Sequence, residues 1–351
     1  MRTLVRLGLA GFSAAVVVAA VLAAVAWVQF LQFEDRPVLE EEETATLVIP
    51  SGTSWPGIVD RIEDAGVVES AWRFDVWGRR SKLSEEVRAG TFYLEGPLEL
   101  EELAEILRQG GRADEVVITF QEGLTIFDLA DRVDEAGLAG REEFLSAARR
   151  VERYDWTSPE MESLEGYLYP DTYRFYQGSG ADEIIDRLVQ RWKREASLFD
   201  EYAEEMDHLG EEFGLDRHDL VIMASLIERE TGVDTERDLI ARVFYNRIER
   251  GMQLQTDPTC VYGEATYRQR PTPELCHDPL NRYSTYVIEG LPPGPIANPG
   301  RASLEAALSP SEDAGAARYL YFVSRRDGSG EHYFTTNYDD HREAIDRFLR
   351  Q

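Results

Sequence analysis

The chain carries an internal repeat, and this constrains its fold more than any other feature of the sequence. SGTSWPGIVDRIEDAGVV begins at Ser51 and EGLTIFDLADRVDEAGLA begins at Glu122, so the copies are 71 residues apart. They share a glycine, an Asp-Arg pair and an Ala-Gly pair, and their apolar positions coincide. Each copy follows a β-rich run, and each is followed later by an aromatic, strand-like run and an amphipathic helix. This self-similarity predicts a duplicated α+β unit.

A small β-α-α-β unit of this kind resembles the LysM class of peptidoglycan-binding modules. We place one LysM-like subdomain at residues 45–115 and a second copy at about 116–195. The alternative is that these are two separate α+β units, alike because helices of this local design are common.

Residues 7–28 contain no charged side chain. A stretch of this length spans about 30 Å of hydrocarbon as a helix. Arg2 and Arg6 precede it and acidic residues follow it, so the positive-inside rule places the N-terminus in the cytoplasm. We expect a cytoplasmic tail at 1–6, a single-pass transmembrane helix at 7–28, and an acidic linker at 29–44. The rest would then lie outside the inner (plasma) membrane, facing the periplasm. A cleaved signal peptide is the competing interpretation, although the stretch exceeds the usual apolar region of about 7–15 residues.

The charge balance and the absent motifs exclude several classes of function. The net charge is −29, with 66 acidic and 37 basic residues. Such a surface argues against nucleic-acid binding, because phosphate backbones are bound by basic patches. The sequence has no HExxH, paired CxxC, P-loop or GxGxxG motif, and its five histidines lack metal-ligand spacing. No nucleophile elbow surrounds a serine. We therefore expect no metal and no other cofactor.

From about Ile184 the chain is helical by its apolar spacing, and a helix opening at Asp216 contains MASLIERET at 223–231. At about 100° per residue, Glu230 lies in line with the bulky apolar side chains, whereas Glu228 points about 200° away. A carboxyl group at the end of a buried stripe is partly desolvated. Desolvation raises its pKa, as a general acid at neutral pH requires. The alternative is that both glutamates are solvated at a helix end or pair with arginines.

Residues 252–300 lack regular periodicity and are rich in Pro, Gly, Tyr, Asn and Thr. A connection of this length inside a compact domain is usually functional. Its amides, hydroxyls and tyrosine rings are typical of a sugar cleft, where rings stack on sugar faces and amides bond to hydroxyl or acetamido groups. An ordinary surface loop is the alternative for any single residue. The residues that we expect to bind substrate here are Gln255, Thr256, Asp257, Tyr262, Tyr286 and Asn298.

The same segment holds both cysteines of the chain, Cys260 and Cys276, which are 16 residues apart. Outside the cytoplasm they can pair and staple one loop, and two free thiols are the alternative. Further along, YLYFVSRRDGSGEHYFTTN predicts a β-hairpin with its turn at Asp327–Gly330, and NYDDHREAIDRFLR predicts a final amphipathic helix. The predicted fold class is α+β.

Six strings form a specific combination. They are LEGYLYPDTYRF at 164–175, MASLIERET at 223–231, ERDLIARVFYNRIERGMQLQTDPTCVYG at 236–263, YSTYVIEGLPPGPIANPG at 283–300, ASLEAALSP at 302–310 and YLYFVSRRDGSGEHYFTTNYDDH at 319–341. Together they closely resemble the MltG (YceG-like) family of endolytic murein transglycosylases. The resemblance runs from the N-terminal apolar stretch to the C-terminus and is densest over 116–345. The two cysteines and the stretch 264–282 depart from the family pattern.

This resemblance implies a membrane-anchored enzyme with a LysM-like subdomain. It also implies a mainly helical, lysozyme-like catalytic domain at 116–351 with a C-terminal β-hairpin. The expected reaction is internal cleavage of peptidoglycan glycan strands between N-acetylmuramic acid (MurNAc) and N-acetylglucosamine (GlcNAc). It leaves 1,6-anhydro-MurNAc ends and stops glycan polymerisation, with peptidoglycan synthases as expected partners. The family's catalytic glutamate maps to Glu230, and the matching strings add Thr231 and Asn246 to the expected substrate-binding residues.

The implied chemistry needs one carboxyl group, because the 6-hydroxyl of MurNAc is the nucleophile and Glu230 acts first as acid and then as base. Two alternatives stay open. Asp257 could supply the second carboxylate of a hydrolytic muramidase. A non-catalytic, anchored peptidoglycan-binding protein built on the repeated units is the other.

Overall fold

A computed structural model describes residues 36–41, 43–50, 52–111, 115–158, 160–177 and 179–350. The predicted transmembrane helix at 7–28 lies outside these ranges. Among the helices within them, none combines the length and the apolar character that a membrane crossing needs.

The described residues up to Val116, together with those within 176–179, form one compact unit. Its elements are β1 (Thr44–Ile49), α1 (Trp55–Asp64), α2 (Ala71–Arg80), β2 (Gly90–Glu95) and α3 (Leu100–Gln109). The two strands are antiparallel, with the first residue of β1 opposite the last residue of β2. The apolar faces of the strands and helices enclose one core.

The second unit comprises the described residues within 117–175 and 180–350. In two small sheets, β3 (Glu115–Thr119) pairs with β4 (Thr172–Tyr176), and β5 (Tyr321–Ser324) pairs antiparallel with β6 (His332–Thr335). Its helices are α4 (Ile126–Glu135), α5 (Arg141–Ala148), α6 (Ala181–Glu195), α7 (Leu198–Glu201), α8 (Ala203–Phe213), α9 (Arg217–Glu230), α10 (Arg237–Glu249), α11 (Asp257–Cys260), α12 (Pro273–Cys276), α13 (Arg301–Leu308) and α14 (Tyr338–Leu349). The fold is thus mixed α+β and mostly helical with small sheets, which confirms the predicted class.

The order strand, helix, helix, strand, helix occurs twice along the chain. It runs from β1 to α3 and again from β3 to α6, and in each copy the two strands pair with each other. The helices that carry the matched sequence, α1 and α4, are each 10 residues long. Each is followed by an alanine and then by a glycine with positive φ, Gly66 and Gly137. The repeat in sequence therefore coincides with a repeat in the order of the secondary-structure elements and in the way the first helix of each copy ends.

α9 is the central helix of the second unit. The Asp216 side chain caps its start by accepting hydrogen bonds from the N–H groups of His218 (2.7 Å) and Asp219 (3.0 Å). Every side chain from Leu220 to Ile227 is buried, because α10 and α13 pack against this helix. The helix ends at Glu230, since the next residue has extended backbone angles. Glu230 is therefore held at the edge of the core.

Between α10 and α13 the chain is largely irregular, as predicted. The described residues of this stretch form regular structure at α11 and α12, which are four residues long each. Cys260 and Cys276 end these two helices and form a disulfide, which resolves the alternative that the sequence left open. Tyr286 packs against the small cluster of buried side chains around the disulfide.

The C-terminal part forms the predicted hairpin and helix. Ser324 of β5 lies opposite His332 of β6, so the predicted turn connects the strands. Asn337 caps α14 by accepting a hydrogen bond from the Asp340 N–H at 2.9 Å. The hairpin and α14 pack against each other in the second unit.

Candidate active site

Glu230 faces a cleft in the second unit. The cleft has a volume of about 370 Å³, and Gln255, Asp257 and Tyr286 line it together with Glu230. These four residues come from the end of α9 and from two separate parts of the irregular segment. The structure thus brings together four of the nine residues expected to act on substrate. The other lining residues are Arg247, Leu254, Tyr321, Phe322, Val323, Ser324, Arg326, His332, Tyr338, His341, Ile345 and Leu349.

The Glu230 carboxyl group has the electrostatic properties of an acid. It is partly open to the cleft but densely surrounded by protein atoms. This burial raises the pKa of Glu230 to about 8; the negative charge of Asp257 adds to the increase, and Arg247 and Arg229 oppose it. Among the described residues, none donates a hydrogen bond to this carboxyl group. Glu230 is therefore mainly protonated at neutral pH.

Asp257 and Tyr286 are joined by a hydrogen bond at the cleft. The Tyr286 hydroxyl donates to Asp257 Oδ1 at 2.7 Å. Burial raises the pKa of Tyr286, so its hydroxyl keeps its proton and remains a donor. The bond connects the start of α11 to a loop that lies 29 positions further along the chain. The Tyr286 ring and the Asp257 carboxylate are thereby held beside Glu230.

Gln255 has an uncommon backbone conformation. Its φ of 49° lies in the left-handed region, where side chains other than glycine are disfavoured. Of the three described non-glycine residues with positive φ, Gln255 and Arg326 both line this cleft. The Gln255 N–H donates to the Thr285 carbonyl at 3.1 Å, which fixes this conformation. Strained residues concentrate at functional sites, because the surrounding structure must hold them there.

Glu228 lies on another side of α9. Its carboxylate accepts hydrogen bonds from the Gly300 N–H at 3.1 Å and the Ser303 hydroxyl at 2.7 Å. It also lies 3.8 Å from the Arg237 guanidinium, and its side chain is 7% exposed. Glu228 therefore connects α9 to α13 and α10. This is the separation of the two glutamates that helical periodicity predicts.

Three further predicted residues have their polar groups bonded within the protein. The Thr231 hydroxyl accepts from a backbone N–H two residues further on at 2.9 Å. The Asn246 amide donates to two carbonyls of the loop before β5 at 2.8 and 3.0 Å. The Thr256 N–H donates to the Thr285 hydroxyl at 2.9 Å. All three are buried and lie outside the cleft lining, so the structure differs here from the expectation of substrate contact.

Asn298 and Tyr262 belong to a separate buried network around Glu165. Asn298 accepts from the N–H groups of Gly166 (3.0 Å) and Leu168 (2.9 Å) and donates to Glu165 Oε1 at 2.7 Å. The Tyr262 hydroxyl donates to Glu165 Oε2 at 3.1 Å. Burial raises the pKa of Glu165 to about 8, and hydrogen bonds from the protein lower it in part. Neither Asn298 nor Tyr262 lines the Glu230 cleft.

The far wall of the cleft is formed by the hairpin, α14 and Arg247, none of which the sequence patterns predicted at the site. Arg247 projects from α10 beneath this wall, and its Nε donates to the Leu320 carbonyl at 2.7 Å. The His341 ring stacks on the Tyr321 ring, with centroids 5.0 Å apart. The available signal was an arginine inside the mainly apolar run VFYNRI, which indicates a guanidinium with partners inside the protein.

The chain is similar in sequence to proteins named endolytic murein transglycosylases. It is 31% identical over 331 residues to the endolytic murein transglycosylase of Bacillus subtilis (strain 168), covering 90% of this chain and 88% of that protein. It is 26% identical over 331 residues to the endolytic murein transglycosylase of Streptococcus pneumoniae (strain ATCC BAA-255 / R6). That match covers 86% of this chain but 57% of the pneumococcal protein.

A solved structure agrees with these similarities. The 2.6 Å crystal structure of a yceG-like protein, lmo1499, from Listeria monocytogenes matches with a TM-score of 0.56 and 28% identity. The match covers 86% of this chain and 99% of that chain. The YceG-like family profile matches residues 47–347. The chain therefore belongs to the YceG-like family.

Proposed function

We propose that this chain is a lytic transglycosylase that cuts the glycan strands of peptidoglycan internally, between MurNAc and GlcNAc. The relatives from Bacillus subtilis and Streptococcus pneumoniae are named endolytic murein transglycosylases, which supports the reaction class. The observation that carries the proposal is Glu230, a carboxyl group with a pKa raised to about 8 in a polar cleft. Such a group is protonated at neutral pH and can act as a general acid.

In the proposed reaction, protonated Glu230 donates its proton to the glycosidic oxygen as the bond to C1 of MurNAc breaks. GlcNAc leaves with a free 4-hydroxyl. The 6-hydroxyl of the same MurNAc then attacks C1, and the Glu230 carboxylate takes the hydroxyl proton. A 1,6-anhydro ring forms, Glu230 regains its proton, and water is not consumed. One carboxyl group thus serves both proton transfers.

The other cleft residues have roles that follow from their chemistry. Burial raises the pKa of Glu230, and the negative charge of Asp257 adds to this rise. The same charge stabilises positive charge that develops at C1. The Tyr286 ring offers an apolar face to a sugar, and the exposed Gln255 amide offers hydrogen bonds to its hydroxyl or acetamido groups. We assign Thr231, Asn246, Thr256, Tyr262 and Asn298 to support of the site rather than to contact with substrate, because their polar groups are bonded within the protein.

A hydrolytic muramidase is the second candidate, because Asp257 places another carboxylate in the same cleft. In that reaction Asp257 would act as nucleophile or as the base for a water molecule. Mass spectrometry of digested glycan strands separates the two. Anhydro-MurNAc ends, lighter by one water, support the transglycosylase, and reducing MurNAc ends support the hydrolase.

The catalytic assignment is tested by Glu230→Gln in the full-length chain, incubated with purified peptidoglycan. We expect loss of new anhydro ends, whereas the matched exposed variant Glu249→Gln retains them. Cleavage by Glu230→Gln at the parent rate would show that Glu230 is not the acid. If the parent protein itself releases no product, a non-catalytic peptidoglycan-binding protein is the better interpretation.

We also propose that residues 7–28 anchor the chain in the inner membrane and that the LysM-like units at 45–115 and about 116–195 hold the glycan strand. Cleavage beside the membrane would end polymerisation of nascent strands, with peptidoglycan synthases as partners. Membrane fractionation of the full-length chain and of a variant lacking residues 1–28 tests the anchor. Recovery of both forms in the soluble fraction would contradict it.

A further inference from the structure

Arg247 places a positive charge under the wall of the cleft, and its side chain is buried. Its Nη1 donates to the carbonyls of Leu254 (2.6 Å) and Gln253 (3.3 Å), while its Nε is bonded to the carbonyl of Leu320. No carboxylate of the described residues comes within 4.0 Å of this guanidinium. The hydrogen bonds of Arg247 to described residues use Nε and Nη1, and the residue lines the cleft.

The charge of Arg247 lacks a counter-ion in the resting site. Glu230 is the carboxyl group whose charge acts on Arg247, but Glu230 is mainly protonated at neutral pH. Asp257 is exposed and already accepts a hydrogen bond from Tyr286. A buried charge is stable only when hydrogen bonds or an opposite charge compensate for its lost hydration. The backbone carbonyls supply the hydrogen bonds, and an anion that enters the cleft can supply the opposite charge.

Arg326 is a second arginine at this cleft that has no carboxylate partner among the described residues. It is exposed at the hairpin turn, lines the same cleft, and has a φ of 50° in the left-handed region. No carboxylate of the described part of the chain pairs with its guanidinium. Two arginines without ion pairs on one cleft are notable in a chain whose net charge is −29.

We propose that Arg247 and Arg326 form a subsite for a carboxylate on the arm that MurNAc carries at its 3-position. This proposal rests on the proposed function, since it assumes that the cleft holds a glycan strand. Guanidinium groups match carboxylates in shape and charge. In a peptide-free strand the arm ends in a lactyl carboxylate; in a peptide-bearing strand the lactyl group is an amide and the carboxylates belong to the stem peptide. The apolar side chains of Ile345 and Leu349 on the same wall suit the methyl groups of such an arm.

The test measures binding to full-length Glu230→Gln protein, which keeps the ligand intact. The ligands are peptide-free and peptide-bearing glycan fragments, each with free carboxylates or with the carboxylates converted to neutral methylamides. We expect the free-carboxylate form of at least one fragment to bind about tenfold more tightly than its methylamide. Adding Arg326→Gln or Arg247→Gln should remove this preference, and the exposed control Arg318→Gln should keep it.

The fragment that shows the arginine-dependent preference identifies the source of the carboxylate. A preference among peptide-free fragments assigns the lactyl group, and a preference confined to peptide-bearing fragments assigns the stem peptide. Equal binding of free and neutralised forms of both fragments overturns the subsite. Equal weakening of both forms by the arginine variants overturns it as well, since it indicates a structural role.

Arg247→Gln loses bonds to three backbone carbonyls and requires a check of its Tm. Arg326→Gln is exposed, so it carries the test alone if Arg247→Gln does not fold. In cleaving protein, we expect Arg326→Gln to raise KM for the preferred fragment and to leave kcat nearly unchanged. The binding result is independent of cleavage, so an inactive parent protein would refute the proposed function without deciding the subsite.

Discussion

Glu228 and Glu230 lie two positions apart on the last turn of α9, yet their carboxyl groups occupy different environments. Glu228 accepts two hydrogen bonds and lies beside Arg237. Glu230 faces the cleft, and burial raises its pKa to about 8. Glu228 thus holds neighbouring helices together on one side of α9, whereas Glu230 is an acid on the other side.

Glu228→Gln should lower stability while leaving the catalytic step intact. The amide keeps one acceptor for the Ser303 hydroxyl but loses the charge that faces the buried Arg237. We expect a loss of about 1–3 kcal/mol in unfolding free energy, seen as a lower Tm, with kcat close to the parent value at a temperature where the variant is folded. A variant with unchanged Tm and no cleavage would instead assign the catalytic role to Glu228.

The alkaline limit of activity should report the protonation of Glu230. Because the acid form is needed first, kcat/KM should fall as pH rises through about 8. Asp257→Asn removes the negative charge that helps to raise this pKa, so the alkaline limb should move to lower pH. The pH profile of kcat/KM for the two proteins measures this shift.

The control for this shift is Asp200→Asn, an equivalent change at an exposed position on α7. Its profile should superimpose on that of the parent. An alkaline limb that stays in place in Asp257→Asn would show that the charge of Asp257 does not act on the essential acid.

The elements that were predictable from the sequence are those with a local signal. The helix at 216–231 depends on its cap and its apolar run, and the hairpin depends on a turn between two aromatic strands. The opposite sides of Glu228 and Glu230 follow from helical periodicity alone. The repeat was visible because matched glycines and apolar positions mark the same local design in both copies.

The contacts that were not predictable join residues far apart in the chain. Asn298 bonds to Glu165 across 133 positions, and no local pattern connects a Pro-rich loop to that buried acid. Arg247 and the hairpin form the far wall of the cleft for the same reason. Residue type predicted that the polar segment borders a cleft, and Gln255, Asp257 and Tyr286 do line one. It could not tell a side chain facing a cleft, such as Gln255, from one bonded inside the protein, such as Thr256.

The disulfide between Cys260 and Cys276 should stabilise the cleft as well as the fold. It closes a loop with a sequence separation of 16, and the Tyr286 ring packs beside it. Closing a loop of this size is worth about 3 kcal/mol in the chain-entropy model. We expect the double variant Cys260→Ala/Cys276→Ala to have a lower Tm and a higher KM, because the Tyr286 ring loses support.

The matched measurement is the parent protein under reducing conditions, which should reproduce both changes, while the reductant should leave the double variant unaffected. A double variant with the parent KM and a lower Tm would limit the disulfide to a role in stability. Unchanged values of both quantities would contradict the prediction.

The stability of the fold should depend on pH through the buried Glu165. Its pKa is raised from 4.5 to about 8, so the folded state holds a proton that the unfolded chain releases over this range. The stability from this group is therefore complete below about pH 4.5 and declines as pH rises through about 8. We expect the Tm to fall between about pH 4.5 and about pH 8 and to level off above that range. Glu165→Gln stays neutral and should flatten that fall in Tm. Its own Tm should be lower than that of the parent, because its amide meets two donors, the Ile126 N–H and the Tyr262 hydroxyl.

Glu230→Gln should also flatten the fall in Tm, because it removes a second carboxyl group with a raised pKa. Glu249→Gln should keep the parent slope. A Tm that declines as steeply in Glu165→Gln as in the parent would show that Glu165 is ionised in the folded state.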